Sequence, residues 1–188
     1  MVPLNLPNVL TALRILLVPV LVVALLDETR NGDLVAAFVF VVASITDFAD
    51  GWLARSRGDV TSFGKMMDPI ADKLLVIAAL VSLVSLDRLA AWVAVAIIAR
   101  EVAVTVARAQ ADEIIPAAFW GKLKTCVQIA AILLLILFDP TPVWVDGVVY
   151  LAVAVTVFSG IDFFFGIRRG AEAAAQRPAA SSHSRIDV

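Results

Sequence analysis

The sequence predicts an all-α membrane protein with six spanning helices, and three observations carry that prediction. The first is composition: 61% of the 188 residues are hydrophobic and 17% charged, with a mean hydropathy of +0.94. A soluble domain has about 45–50% apolar and about 25% charged residues. The second is length: the apolar residues gather into runs close to the roughly 20 residues that cross a hydrocarbon core. The third is punctuation, since the runs are separated by residues that favour turns. Lipid leaves only helices or closed barrels as spanning structures, and no run alternates as a strand would.

The elements follow in order: Pro7–Leu26, Leu34–Ala54, Gly64–Leu86, Leu89–Ala109, Trp120–Phe138 and Val145–Ile167. Between them lie Asp27 to Asp33, Arg57-Gly58-Asp59, Asp87-Arg88, Ile115-Pro116 and Asp139-Pro140-Thr141-Pro142. Met1–Pro7 lacks a positive residue and no small-residue cleavage site ends the first run, so the first helix is expected to stay. Residues 1–169 are expected to form the membrane domain. Residues 170–188 are rich in Ala, Ser and Arg, lack an apolar face, and are expected to be a disordered tail. The only histidine, His183, lies in that tail.

Charge placement orients the bundle. Arg30 and Arg88 are the only basic residues in the connections after helices one, three and five. The opposite side carries Arg55, Arg57, Lys65, Lys73, Arg100, Arg108, Lys122, Lys124, Arg168, Arg169, Arg177 and Arg185. The positive-inside rule then puts both termini in the cytoplasm. A net charge of −2 gives no basic balance toward nucleic acid, and none is expected as a partner. The lone Cys126 forms no intrachain disulfide.

Ionisable residues inside spanning segments are costly and point to function. Asp47 and Asp50 are three residues apart on the second helix, and Asp68 and Asp72 four apart on the third, so each pair shares a helix face. The short link between these helices brings the four carboxylates together. Either some are protonated or cations neutralise them. Carboxylates without His or Cys suit a hard ion, Mg²⁺ with Mn²⁺ as an alternative, and four would hold two ions. Gly51 and Gly64 flank the set and allow close approach of a ligand, while Arg55 is within reach of a phosphate.

The pattern Asp47-x2-Asp50-Gly51-x2-Ala54-Arg55-x8-Gly64-x3-Asp68-x3-Asp72 resembles the signature of the CDP-alcohol phosphotransferases at all eight fixed positions. Chance agreement anywhere in the chain is on the order of 10⁻⁸ at average residue usage. The resemblance implies transfer of a substituted phosphate from a CDP-linked donor to an alcohol, with release of CMP. It implies that Asp47, Asp50, Asp68 and Asp72 hold two divalent metals and that Asp72 is also the general base. It further implies that Gly51, Ala54 and Arg55 line the cytidine-diphosphate pocket, with Thr61 and Gly64 beside the donor.

Looser resemblances select a branch. Asn5-Leu6-Pro7-Asn8-Val9-Leu10-Thr11-Ala12-Leu13-Arg14, Ala99 to Thr105 with Arg108 beyond, and Trp120-Gly121-Lys122-Leu123-Lys124-Thr125-x2-Gln128 are similar to phosphatidylglycerophosphate synthases. This implies CDP-diacylglycerol as donor and sn-glycerol 3-phosphate as acceptor, in contact with membrane lipids. The acceptor is a dianion and needs fixed positive charge, which Arg14, Arg100, Arg108, Lys122 and Lys124 supply. Asn8 and Thr11 are placed on the donor side. Arg14 has two further readings, as a nucleotide-side residue or as a counter-charge to the aspartates. Arg100 has one, an ion pair with Glu101 or Asp162. Asp162 is read as a helix-end partner.

The chain departs from that branch after Arg108, where Ala109-Gln110 stand in place of a Trp, and in the acidic linker with Asp112 and Glu113. Same-family alternatives are a cardiolipin synthase, using phosphatidylglycerol, and an inositol-phosphate phosphatidyltransferase. A cation transporter is the alternative from another class. By analogy with the family, a homodimer is expected.

Overall fold

The computed structural model describes the backbone of residues 6–57, 62–110 and 119–175, and the side chains of residues 9–46, 73–107 and 123–166. It contains six helices and, among the described residues, no strand. They are α1 (Leu6–Leu26), α2 (Arg30–Arg57), α3 (Ser62–Ser85), α4 (Ala91–Gln110), α5 (Phe119–Leu137) and α6 (Val143–Ala175). Each contains one expected apolar run, shifted by a few residues at the ends. The largest differences are at α2, which begins at Arg30 rather than Leu34, and at α6, which runs past Ile167 through Gly170 to Ala175. That stretch was expected as tail; its Ala and Glu residues are strong helix formers despite their lack of an apolar face.

Local chemistry explains the turns. Thr29 caps α2: its Oγ1 accepts from the Gly32 amide at 3.0 Å. Gly32 lies so close to α1 that a Cβ there would stand 2.5 Å from the Ala24 carbonyl oxygen. α3 ends in a Schellman-type turn. The Arg88 amide reaches the Leu83 carbonyl at 3.0 Å and the Asp87 amide the Val84 carbonyl at 3.1 Å, with Asp87 at φ 57°.

Packing follows the stripes of buried residues. α1 lies along both α2 and α3, α5 packs on α6 and α2, and α4 bridges α3 and α6. α2 and α3 also touch directly, over less of their length than either touches α1. Leu21, Leu25, Phe40, Leu80, Leu83, Ile132 and Ile136 are fully buried at the centre. The outward surface is apolar. Leu16, Val23, Phe38, Val81, Val95, Tyr150, Leu151 and Phe158 are all exposed. Only α5 shows no large apolar side chain outward; Thr125, Cys126 and Ala130 are its exposed residues among those described. Val9–Leu26 and Val143–Gly166 are long and apolar enough to cross a membrane, with mean hydropathies of 2.7 and 2.1.

At one end of the bundle a polar clasp joins three elements. Arg88 Nη1 donates to Asp33 Oδ1 at 2.7 Å, with both side chains only 6% exposed, and Nη2 donates to Asp139 at 3.0 Å. Arg30 Nη1 donates to the Leu137 carbonyl at 2.6 Å, capping the end of α5.

Candidate active site

At the end of the bundle opposite that clasp, α1, α2, α3, α4 and α5 converge on a cavity. About 70 Å³ of it is reachable by the centre of a water molecule. By that measure it has room for roughly five waters or one small polar solute. Its polar lining comprises Arg14, Ser44, Lys73, Glu101, Lys124, Thr125 and Gln128. Arg14 is 1% exposed, Lys124 6% and Gln128 4%. Thr11, one turn before Arg14, is also buried.

Three cations therefore face one carboxylate among the described lining residues. Burying charge is expensive unless it is paired. Lys124 Nζ donates to Glu101 Oε1, tying α5 to α4. Arg100 Nη1 donates to the same oxygen at 3.3 Å. Glu101 thus sits between two cations, and among the described lining residues positive charge exceeds negative. That balance suits an anionic solute such as a phosphate monoester.

The aspartate-bearing segments border this cavity. Ser44 lines it, and Asp47, Asp50, Gly51, Ala54 and Arg55 follow on the same helix α2. At 1.5 Å rise per residue, Asp47 is about 4.5 Å further along the axis than Ser44. On α3, Lys73 lines the cavity directly after Asp72, with Gly64 and Asp68 in the preceding turns. The side chains of Asn8, of these eight signature residues, and of Arg108 and Lys122 lie outside those described, as does Thr61 altogether. Among the described side chains there is no group of three or more metal-ligating residues. The metal ligands expected from the sequence are the four aspartates of α2 and α3. The set is all-oxygen and anionic, and its two helices are in contact.

Arg100 is not among the lining residues of this cavity, whereas Arg14 and Lys124 are. It points between α4 and α6, where its Nη2 donates to Ser159 Oγ at 2.5 Å. A Cβ at Gly160 would be 3.2 Å from Arg100 Cγ, so this glycine makes room for the arginine stem. The ion pair with Glu101 is present, and Asp162 is exposed on α6. Three residues gained importance that the sequence had left in the background. Lys73 had counted only toward charge orientation, Glu101 only as a partner of Arg100, and Gln128 only as part of a motif. The available signal was the i, i+4 spacing of Lys124 and Gln128 on a largely apolar helix.

The sequence profile described as CDP-alcohol phosphatidyltransferase matches residues 4–158. The chain belongs to that family. The match spans α1 to α5, the first half of α6 and all four aspartates. A protein of Mycobacterium tuberculosis (strain H37Rv) named "Probable phosphatidylglycerophosphate synthase" is 45% identical over 166 residues, covering 85% of this chain and 79% of that protein. A Bacillus subtilis protein named CDP-diacylglycerol–glycerol-3-phosphate 3-phosphatidyltransferase is 41% identical over 180 residues, covering 85% and 93%. A Rickettsia felis protein of the same name is 38% identical over 169 residues, covering 88% and 91%. A divalent metal is general in the CDP-alcohol phosphatidyltransferase family, which agrees with the donor chemistry of α2 and α3.

Proposed function

We propose that this chain transfers the phosphatidyl group of CDP-diacylglycerol to sn-glycerol 3-phosphate, giving phosphatidylglycerophosphate and CMP. The observation that carries the reading is the cation-rich cavity beside the aspartate-bearing turns of α2 and α3. The names of the relatives support the donor and the acceptor.

In this reading Arg14, Lys73 and Lys124 bind the acceptor phosphate, with Arg108 and Lys122 on the same side. Asp72 takes the proton of the C1 hydroxyl. The freed oxygen attacks the phosphatidyl phosphorus, a new P–O bond forms, and the pyrophosphate P–O bond breaks with its electron pair leaving on CMP. Arg55, Gly51, Ala54, Thr61 and Gly64 hold the cytidine diphosphate, with Asn8 and Thr11 nearby. Two divalent ions, Mg²⁺ or Mn²⁺, bound by Asp47, Asp50, Asp68 and Asp72 would neutralise the pyrophosphate and the leaving group. Arg100 is left out of the acceptor set because it reaches Ser159 and Glu101 instead.

The exposed apolar surface and the basic side of the chain support a six-span protein of the cytoplasmic membrane. Both termini and the active site then face the cytoplasm. The homodimer is carried over from the family. A small cavity lined by Arg14, Lys73 and Lys124 favours a soluble phosphorylated acceptor over phosphatidylglycerol. The test is an acceptor screen. Purified protein in detergent receives CDP-diacylglycerol and Mg²⁺, and CMP release is followed with glycerol 3-phosphate, phosphatidylglycerol, inositol phosphate or inositol. Asp68→Asn serves as the blank. Release with glycerol 3-phosphate alone is expected; release with another acceptor instead overturns the assignment.

A further inference from the structure

We infer that Gln128 is the residue that reads the acceptor's secondary hydroxyl, and so determines which phosphorylated alcohol is used. The inference rests on the acceptor assigned above. Gln128 lines the cavity and is 4% exposed. Its Oε1 is buried without a hydrogen-bond partner among the described residues. A buried acceptor atom left unmet is costly, and such atoms in a pocket mark where a ligand supplies the missing donor. The cavity's other charged lining residues do different work. Arg14, Lys73 and Lys124 attract the phosphate, and Glu101 is engaged by Lys124 and Arg100.

Gln128 follows Lys124 by four residues on α5, so the two side chains rise from one helix face about 5–6 Å apart at Cβ. With the acceptor phosphate on Lys124, Oε1 lies one turn deeper. The C1 hydroxyl is committed to Asp72 as the nucleophile. The hydroxyl left to donate to Gln128 is the one at C2, on the carbon next to the phosphate-bearing carbon. A site built to bond a hydroxyl discriminates strongly against an analogue that lacks it, because its own polar atom is then stranded.

The experiment compares glycerol 3-phosphate with 3-hydroxypropyl phosphate, which keeps the nucleophile and the phosphate and lacks only the C2 hydroxyl. CMP release gives kcat/KM for each acceptor. The wild-type protein is expected to prefer glycerol 3-phosphate by about 10- to 100-fold. Gln128→Met, of similar length and without the oxygen, is expected to bring the ratio within about threefold by losing rate with glycerol 3-phosphate. Gln128→Glu keeps an acceptor oxygen and is expected to keep the preference at lower overall rate. A purely structural role would lower both acceptors together and leave the ratio standing, which overturns the inference. So does a wild-type protein that uses both acceptors equally, a result needing no substitution. Failure of the broader reading looks different: the wild-type protein then releases no CMP with glycerol 3-phosphate, and the role of Gln128 falls with it.

Discussion

Lys124 offers the sharpest test of whether the cavity binds the acceptor or merely holds the helices together. The residue is 6% exposed, lines the cavity and is ion-paired to Glu101. Lys124→Met keeps most of the apolar stem and removes the ammonium. A hydrogen bond to a charged group is worth about 1.5–3 kcal/mol. At 1.36 kcal/mol per factor of ten, kcat/KM for glycerol 3-phosphate should fall about 10- to 150-fold. The carboxylate of Glu101, having lost its Lys124 partner, adds repulsion of the phosphate in the same direction. KM for CDP-diacylglycerol should stay within about threefold, because the donor is assigned to residues outside α5. The double variant Lys124→Met/Glu101→Gln removes the stranded carboxylate and should recover part of any lost thermal stability, while acceptor affinity stays low. Steady-state CMP release with each substrate varied in turn gives all of these numbers. If Lys124→Met lowers the melting temperature and leaves acceptor kinetics intact, Lys124 is only a structural partner of Glu101 and the phosphate must bind elsewhere.

Other outcomes are expected. Asp72→Asn should abolish turnover while the protein keeps its wild-type melting behaviour and gel-filtration profile; measurable turnover would remove Asp72 as the base. Arg88→Met should cost about 3–5 kcal/mol, since it strands Asp33 in a site where the carboxylate is 6% exposed. Unfolding in mixed micelles would read that loss, and adding Asp33→Asn should recover most of it. Deleting residues after Ala175 should leave acceptor kinetics intact, whereas cutting at Gly170 removes the last helical residues of α6 and should lower stability. A dead enzyme after the shorter deletion would give the terminal segment a role in catalysis.

The number and order of helices were legible because apolar runs and turn residues alternate with little ambiguity. The boundaries were less so, for identifiable reasons. Arg30 to Asp33 look like loop by hydropathy, but the Thr29 cap lets the helix start there. The signature residues announced the reaction class because its chemistry needs particular groups at fixed intervals on two helices. The cavity was not legible, since Arg14, Glu101 and Lys124 come from α1, α4 and α5 and meet only through packing. Arg100 shows the limit clearly. Its neighbours in sequence suggest an acceptor ligand, yet its direction depends on Ser159 and Gly160, about sixty residues away on α6. Arg88 and Asp33 escaped notice in the same way. They stand 55 residues apart, in two connections that had looked like ordinary solvent-facing turns.

The composition of α5 separates two kinds of selection. The other five helices carry large apolar side chains on their exposed faces. Among its described side chains α5 exposes Thr125, Cys126 and Ala130, and it buries Lys124 and Gln128. A lineage could therefore exchange one acceptor alcohol for another by altering a single sheltered helix. The exposed apolar surface, and the two helices that bear the aspartates, would stay as they are. Divergence of substrate choice without divergence of reaction is what such a division of labour permits.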